Sequence, residues 1–154
     1  MFHIVLVEPE IPQNTGNISR TCSVTGCALH LVRPLGFRVD DRSLKRAGLD
    51  YWDTLELYYH DSFDEVVEQA AEGARFFLAT TKGSRCYSEE AYRPGDYLVF
   101  GKETKGLGDA LLQRYPQGHI RIPMLPDKRS LNLSNSVAVV LYEALRQQGF
   151  PRLR

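Results

Sequence analysis

The sequence predicts an α/β fold, with a mostly parallel sheet flanked by helices. Short apolar runs recur along the chain, and their continuous rather than alternating hydrophobicity is typical of strands covered on both faces. Segments with helical spacing lie between these runs, and this alternation favours a parallel sheet. The length of 154 residues, 43% of them hydrophobic, fits a single domain over 1–154 that buries its own core.

The predicted strands are the apolar runs themselves. They cover 2–7 (FHIVLV), 28–32 (ALHLV), 75–80 (RFFLAT), 96–101 (DYLVFG) and 119–124 (HIRIPM). No internal repeat, low-complexity segment or linker interrupts the series. We therefore expect these runs to pair within one sheet.

The intervals between the strands carry helical patterns with recognisable ends. The predicted helices are 14–25 followed by Gly26, 62–73 with Ser62 as its cap and Gly73 at its end, and 108–115 followed by Pro116. Serine is a preferred helix cap, glycine accommodates the left-handed turn after a helix, and proline cannot continue one. The segment 33–55 is loop-rich, with a helical turn predicted at 41–49.

The last predicted helix has the clearest pattern. Its apolar residues fall at i, i+3, i+4, i+7 and i+8, which is the spacing of a core-facing stripe. The stripe consists of Val137, Val140, Leu141, Ala144 and Leu145. Gly149 and Pro151 then supply the stop.

Composition limits the kinds of partner. Lys plus Arg and Asp plus Glu both number 19, so the formal net charge is zero and a polyanion would have to be met by local basic clusters. The three cysteines lie in or beside apolar segments, which predicts packed free thiols. Cysteines and histidines show no paired ligand spacing, so no metal site is expected. Without a signal-peptide pattern or a membrane-length apolar run, we expect a cytoplasmic protein with no membrane contact.

Unusual polar stretches follow three of the predicted strands. They are 8–20 (EPEIPQNTGNISR) after the first strand, 101–108 (GKETKGLG) after the fourth and 123–136 (PMLPDKRSLNLSNS) after the fifth. Ligands of open α/β sheets bind beyond the carboxyl ends of the strands. The convergence of these stretches therefore predicts a site there.

The first stretch places Asn14, Asn17 and Arg20 three residues apart. On a helix these side chains lie along neighbouring rows of one face, where two amides and a guanidinium could bind a phosphate or a sugar. The alternative is a solvated helix face with Asn14 as its cap, because asparagine is a preferred cap.

The second stretch is a glycine-rich loop that does not match a P-loop. Gly106 is followed by Leu107 and Gly108, where a Walker loop has lysine and then serine or threonine. No G-x-G-x-x-G fingerprint follows any strand either. The loop carries Glu103 between lysines and exposes backbone that could bind a flat polar ligand. A simple turn with a solvated charge cluster is the alternative.

The third stretch is rich in short polar side chains, which cap helices and bond nearby backbone. They are Ser130, Asn132, Ser134 and Asn135. Leu131 and Leu133 can point into a pocket or into the core. One capping residue would satisfy a helix start, so four favour a loop that holds an adenosine-like group by backbone bonds and apolar walls.

These stretches resemble, in order and spacing, the three motifs of the SPOUT class of RNA 2′-O-ribose methyltransferases. The matching segments are EPEIPQNTGNISRTC, YLVFGKETKGL and IRIPMLPDKRSLNLSNSVAVVLYEA, to which GFRVDDRSLKRAGLDYW (36–52) and LATTKG (78–83) add. The similarity runs from Met1 to about Pro151. It is greatest to the short tRNA (cytidine/uridine-34)-2′-O-methyltransferases, which modify the wobble nucleotide of certain leucine tRNAs.

The resemblance implies a C-terminal trefoil knot. Chains rarely thread through themselves, and no periodicity in the sequence predicts a knot. It also implies S-adenosylmethionine as the cofactor, bound by the knot loops, and a homodimer with the site at its interface. The implied reaction transfers a methyl group to the ribose 2′-hydroxyl of cytidine or uridine 34, in the anticodon region of a tRNA. No appended RNA-binding domain is expected.

Site residues follow from the resemblance position by position. The adenosine pocket would involve Leu78, Ala79, Thr80, Gly101, Ile122, Met124, Ser130 and Leu131. The RNA phosphate and ribose would be faced, from the other protomer, by Asn14, Asn17 and Arg20. Glu103 and Asn132 would shape the reaction centre, and Arg20 is the family's usual candidate for the base.

Basic clusters supply candidate RNA contacts in a chain without net charge. They are Arg33, Arg38, Arg42, Lys45 and Arg46 after the second strand, Lys82 and Arg85 after the third, and Lys128 and Arg129 beside the third motif. Each cluster alone is typical of a solvated surface. A dimer would double them around two sites.

The match has two departures. The loop reads GKETKG where the family more often has proline and arginine around the Glu-Thr pair, and the first motif continues TCSVTG rather than LCANTG. The glycines and Glu103 are retained. A non-catalytic RNA- or nucleotide-binding module is the alternative function, since it would keep the pocket and basic clusters without needing Arg20. The missing glycine fingerprint disfavours a small-molecule methyltransferase on a Rossmann sheet.

Overall fold

The computed structural model describes residues 1–40, 42–43, 46 and 52–154. The strands in these residues are β1 His3–Val7, β2 Ala28–Val32, β3 Leu57–His60, β4 Phe76–Ala79, β5 Arg85–Cys86, β6 Tyr97–Phe100 and β7 His119–Arg121. They form one sheet in the order β3-β2-β1-β6-β4-β7-β5. Every adjacent pair is parallel, which confirms the predicted α/β architecture.

Helices flank this sheet. The α-helices whose bounds lie in the described residues include α1 Pro12–Thr25, α2 Phe63–Gln69, α3 Asp109–Arg114 and α4 Leu133–Gln147, and a 3-10 helix spans Tyr87–Glu89. The predicted signals at Gly26 and Ser62 are confirmed, because the glycine is left-handed after α1 and the serine hydroxyl accepts the Glu65 N–H of α2. The predicted end of α2 at Gly73 is wrong, since the chain already turns extended at Ala70. Within the helical turn predicted at 41–49, the described residues Arg42, Ser43 and Arg46 are helical, and the other residues lie outside the described part of the chain.

The sequence does not predict β3 or β5. The first reads LYYH and is only partly buried, so it lacks a continuous apolar run. The second contains two residues. Both strands lie at the edges of the sheet. Edge strands pair on one side only and are often short or polar, which weakens their signal in the sequence.

The strand order brings the three polar stretches to one place. β1, β6, β4 and β7 are consecutive neighbours in the sheet. Because they are parallel, their carboxyl ends share one edge. The stretches that follow β1, β6 and β7 therefore meet beside the end of β4, as the sequence predicts.

The sheet is buried between two apolar layers. Leu6 on one face packs in a cluster with Ile18 of α1 and Leu141 of α4. Val5 on the other face packs in a cluster with Phe63 of α2. The stripe predicted for the last helix is confirmed, because Val137, Val140, Leu141, Ala144 and Leu145 are all buried. The start of α4 is thereby held over the carboxyl edge of the sheet.

Two of the cysteines are packed thiols, as predicted. Cys22 and Cys27 are free and buried, and Cys86 is free and half-buried. Burial raises the pKa of the Cys22 and Cys27 thiols, which keeps them protonated and unreactive. Within the described residues, no group of three or more His, Cys, Asp or Glu side chains could hold a metal ion. No helix in this part of the chain is long and apolar enough to cross a bilayer.

Three histidines form a hydrogen-bonded row across β1, β2 and β3. His3 Nδ1 lies 3.0 Å from His30 Nε2, and His30 Nδ1 lies 2.9 Å from His60 Nε2. The His3 ring also stacks on Tyr97, with 4.2 Å between ring centroids. Burial, followed by the charges of its two histidine neighbours, lowers the pKa of His30 to about 3. The row is therefore neutral at physiological pH.

This row predicts acid destabilisation. Between about pH 6.5 and pH 3 the unfolded chain binds a proton at His30 that the folded chain does not. The contribution of His30 to the free energy of unfolding is therefore fully present above pH 6.5 and is lost as the pH falls below that value. Between pH 6.5 and pH 5 this one group removes up to about 2 kcal/mol. Denaturant unfolding at several pH values should show His30→Leu less stable than the wild type at neutral pH and less sensitive to acid. The control is His119→Gln, outside the row, and an equally flattened profile there would contradict the assignment.

Candidate functional site

A cavity of about 880 Å³ lies at the carboxyl edge of β1, β6, β4 and β7. Its walls come from the three polar stretches and from the loop after β4. The structure brings together in this cavity the predicted residues Asn14, Ala79, Thr80, Gly101, Glu103, Ile122, Met124, Arg129, Ser130, Leu131 and Asn132. Residues distant in the chain thus share one surface.

Four predicted site residues lie elsewhere. Leu78 is fully buried in the core, on the strand below the cavity. Asn17 and Arg20 are exposed on α1, outside the cavity wall. Lys128 is exposed beside the cavity loop and lies 3.5 Å from Asp127. Asn14, in contrast, is only 6% exposed, so it does not form one exposed surface with Asn17 and Arg20.

The carboxylate of Glu103 binds the start of α1. It accepts the backbone N–H groups of Glu10 at 2.8 Å and Ile11 at 2.7 Å. Ile11 is the N-cap residue and makes no side-chain cap bond, and Pro12 follows it in the first turn. Glu103 therefore supplies, from another loop, the negative group that a helix N-terminus favours. The alternative of a solvated charge cluster is wrong for this residue.

A second pair of hydrogen bonds joins the loop after β6 to the segment after β1, now with the acceptor on the segment after β1. The carboxylate of Glu10 accepts the Thr104 hydroxyl at 2.7 Å and the Thr104 backbone N–H at 3.0 Å. These hydrogen bonds, before the nearby lysines, lower the pKa of Glu10. Lys102 adds an ion pair with Glu8 at 3.7 Å. The loop after β6 and the segment after β1 are thus joined on both sides.

Asn14 connects this pair of loops to the third stretch. Its amide donates to Glu103 at 3.2 Å, and its carbonyl oxygen accepts the amide of Asn132 at 3.2 Å. The side-chain oxygen Oδ1 of Asn132 in turn accepts the backbone N–H groups of Ser134 and Asn135, which caps α4. The alternative of Asn14 as a cap of α1 is wrong, since Ile11 occupies that position. One chain of side-chain bonds therefore runs through all three stretches.

Gly101 allows the loop after β6 to fold onto itself. A Cβ at this position would lie 2.0 Å from the carbonyl carbon of Gly106 and 2.2 Å from the nitrogen of Leu107. The Gly106 N–H donates to the Lys102 carbonyl at 2.9 Å and closes the loop. Any side chain at position 101 would open it, which explains why a glycine must follow the strand.

The cavity surface combines apolar walls with exposed backbone. Met124 and Leu131 line it and stay 37% and 39% exposed, which leaves apolar area uncovered. Across the mouth, the Lys82 ammonium donates to Asp109 at 2.6 Å. Such a surface suits a flat ligand with an apolar face and a polar edge. Glu103 already accepts three hydrogen bonds and is an anchor rather than a free base.

Several of these groups lie outside the site that the sequence predicts. The predicted site does not include Glu10, Thr104 or Asp109, and the sequence predicts Lys82 only as a candidate RNA contact. The Lys82–Asp109 contact joins residues 27 positions apart and the Glu10–Thr104 contact joins residues 94 positions apart, and no local pattern encodes such contacts. The signal for Glu10 is its position in the polar stretch that follows β1, three residues after Val7.

The chain matches the SpoU rRNA Methylase family over residues 1–142. It is 53% identical over 152 residues to a tRNA (cytidine(34)-2'-O)-methyltransferase of Burkholderia pseudomallei, covering 97% of each chain. It is 51% identical to a tRNA (cytidine(34)-2'-O)-methyltransferase of Escherichia coli, covering 98% of this chain and 96% of that one.

Two solved structures are similar to this fold. One, from work on the 2-OH methylation of C/U34 on tRNA, has a TM-score of 0.92 at 48% identity and covers 97% of both chains. The other is the SpoU methyltransferase AviRb from Streptomyces viridochromogenes in complex with AdoMet. It has a TM-score of 0.85 at 25% identity, with coverage of 95% of this chain and 57% of AviRb.

Removal of the Glu103 carboxylate should destabilise the fold. Glu103→Ala leaves the N–H groups at the start of α1 without their acceptor, so we expect a loss of about 1–2 kcal/mol in denaturant unfolding, the usual cost of a lost helix cap. Lys105→Ala in the same loop is the matched control, because that side chain is exposed. Equal stability of the two variants would show that the carboxylate does not hold the helix.

Proposed function

The chain belongs to the SpoU rRNA Methylase family, and from that premise we propose that it is a tRNA 2′-O-methyltransferase. It methylates the ribose 2′-hydroxyl of nucleotide 34, the cytidine or uridine at the wobble position of leucine tRNAs. The relatives from B. pseudomallei and E. coli carry cytidine 34 methylation in their names and align with nearly the whole chain. The observation that carries the proposal is the Glu103–Asn14–Asn132 chain of bonds around one cavity.

S-adenosylmethionine fits this cavity in size and chemistry. Ile122, Met124 and Leu131 offer apolar surface to an adenine ring, and the backbone of the Gly101 loop offers polar groups to its edge. Ala79, Thr80 and Ser130 complete the wall, while Leu78 supports it from the core. When bound, S-adenosylmethionine supplies an electrophilic methyl group on its sulfonium. The family resemblance implies a trefoil knot in the C-terminal half, and we propose that this chain has one.

The exposure of α1 supports a homodimer. Asn17 and Arg20 lie on the exposed side of α1, whereas Asn14 lies in the cavity of its own chain. They contact a bound ribose only if they serve the cavity of a second copy. Val24 on α1 and Tyr142 on α4 are 49% and 44% exposed, which leaves apolar area on two helices that pack together. A second copy of the chain would cover it.

Arg20 anchors the RNA in this scheme. A ribose hydroxyl is a poor nucleophile until its proton is removed, so the site must hold the ribose in position while the proton leaves. A guanidinium binds phosphate through two parallel N–H bonds and stays protonated at neutral pH. We therefore assign Arg20 to anchoring the phosphate beside the target ribose, with Glu103 and Asn132 holding the loops that shape the reaction centre.

The remaining RNA contacts come from basic side chains around the cavity. Arg129 lies in the cavity wall and Lys128 next to it. The cluster after β2 adds Arg33 and Arg38, while Lys45 of that cluster lies outside the described residues. We propose that the domain of residues 1–154 and its copy together contact the anticodon region of a cytoplasmic tRNA.

Purified protein incubated with total tRNA and labelled S-adenosylmethionine should label nucleotide 34. Arg20→Ala should lower kcat by about 100-fold or more, because a displaced reactant loses its alignment. Calorimetry should give the same Kd for S-adenosylmethionine in the variant and the wild type. Arg93→Ala, before β6 at the opposite edge of the sheet, is the matched control.

Each result has a defined meaning. Full turnover by Arg20→Ala would reject its assignment, and full rescue by Arg20→Lys would exclude bidentate phosphate binding. RNA binding by the wild type with no label in the RNA would instead favour the non-catalytic module.

The affinity for tRNA should fall steeply with salt. Lysine and arginine contacts release counterions from RNA, so binding should weaken about 10-fold or more between about 50 and about 200 mM salt. Filter binding with the wild type and with a Lys128→Gln, Arg129→Gln double variant should show a smaller slope for the variant. If the affinity of the wild type for tRNA did not change with salt concentration, that result would contradict electrostatic binding.

A further inference from the structure

A second cavity, of about 810 Å³, lies beyond the end of β2. The described residues that line it and define its chemistry are Arg33, Phe37, Arg38, Asp40, Trp52 and Asp53. Phe37 and Trp52 are half-buried, and both line the cavity. The cavity therefore combines aromatic rings with charged side chains at its edge.

The two cavities lie next to each other along the sheet. The Gly36 N–H donates to the Pro9 carbonyl at 2.9 Å, and a Cβ at Gly36 would lie 2.7 Å from the Cα of Glu10. The segment 8–11 thus contacts the second cavity's loop through Gly36 and the first cavity's loop through Glu103. A ligand long enough to leave the first cavity across this segment reaches the second.

The two arginines at the second cavity each form an ion pair. Arg33 lies 3.3 Å from Asp61, and Arg38 lies 3.3 Å from Asp40. The Arg33 guanidinium also lies over the ring of Tyr59, at 5.0 Å from its centroid. Donors and acceptors are therefore present without an excess of positive charge. This suits a flat ligand with a polar edge better than a bare phosphate.

We propose that this cavity binds an unpaired nucleobase of the tRNA, adjacent in the strand to the methylated nucleotide. The base stacks on the rings of Trp52 and Phe37, and its polar edge bonds to the arginine and aspartate side chains. Base stacking on aromatic rings is the common means by which proteins hold unpaired RNA. The proposal rests on the proposed function, since it assumes that a tRNA strand enters the first cavity.

Trp52 is the only tryptophan in the chain, so its fluorescence reports on this cavity directly. An anticodon-loop oligoribonucleotide should quench the emission of the wild type. An abasic oligonucleotide of equal length, which keeps every phosphate, should quench it much less. Equal quenching by the two would show that phosphate, rather than a base, is bound, and no quenching by either would overturn the proposal.

Steady-state kinetics supply an independent test. Phe37→Leu and Trp52→Leu keep the apolar volume but remove the ring face, so KM for tRNA should rise about 10-fold, with a smaller effect on kcat. Trp52→Phe keeps a ring and should stay near the wild-type KM. Tyr58→Leu, an exposed aromatic outside the cavity, is the matched control. Circular dichroism excludes unfolded variants.

These results separate the inference from the proposed function. If the wild type methylates tRNA while both leucine variants keep the wild-type KM, the second cavity does not bind the substrate and the inference is wrong. If the wild type does not methylate tRNA, the proposed function fails, and base-dependent quenching of Trp52 still decides whether the cavity binds a nucleobase.

Discussion

One carboxylate holds the candidate site together. Glu103 reaches from the loop after β6 to the N–H groups of Glu10 and Ile11, at a helix start whose own N-cap residue has no capping side chain. The partial positive charge of a helix N-terminus makes an anion favourable there. Because the anion belongs to a different loop, the position of α1 and the shape of that loop cannot change independently.

The parallel sheet explains why a second helix joins the same arrangement. α1 follows β1 and α4 follows β7, so both helices begin at the carboxyl edge and pack on the same face of the sheet. Asn132 caps α4 with its own side chain and also donates to Asn14 of α1. Side chains of the protein thus occupy both helix starts, where a P-loop would place a phosphate. This agrees with the absence of a Walker sequence. The cavity between them is built for a ligand with an apolar face rather than for a phosphate.

The sequence predicts those parts of the molecule that depend on local pattern. The five apolar runs and the stripe of α4 are strands and a core helix, because burial on both faces or on one stripe needs a regular spacing. β3 and β5 escape prediction because edge strands need no such run. The site differs: resemblance placed Leu78 in the pocket, but its side chain points into the core. The bond between Glu10 and Thr104 depends on how distant segments meet, which no local spacing contains.

The position of Arg20 shows why the anchored helix matters for the proposed reaction. Successive residues of a helix turn by about 100°, so Asn14 and Arg20 lie about 120° apart around the axis of α1. Asn14 faces its own cavity, whereas Arg20 is exposed outside it. In a homodimer the same helix can close one cavity through Asn14 and serve the other through Arg20. Since Glu103 fixes the start of this helix, it would also set the position of Arg20 in the proposed homodimer.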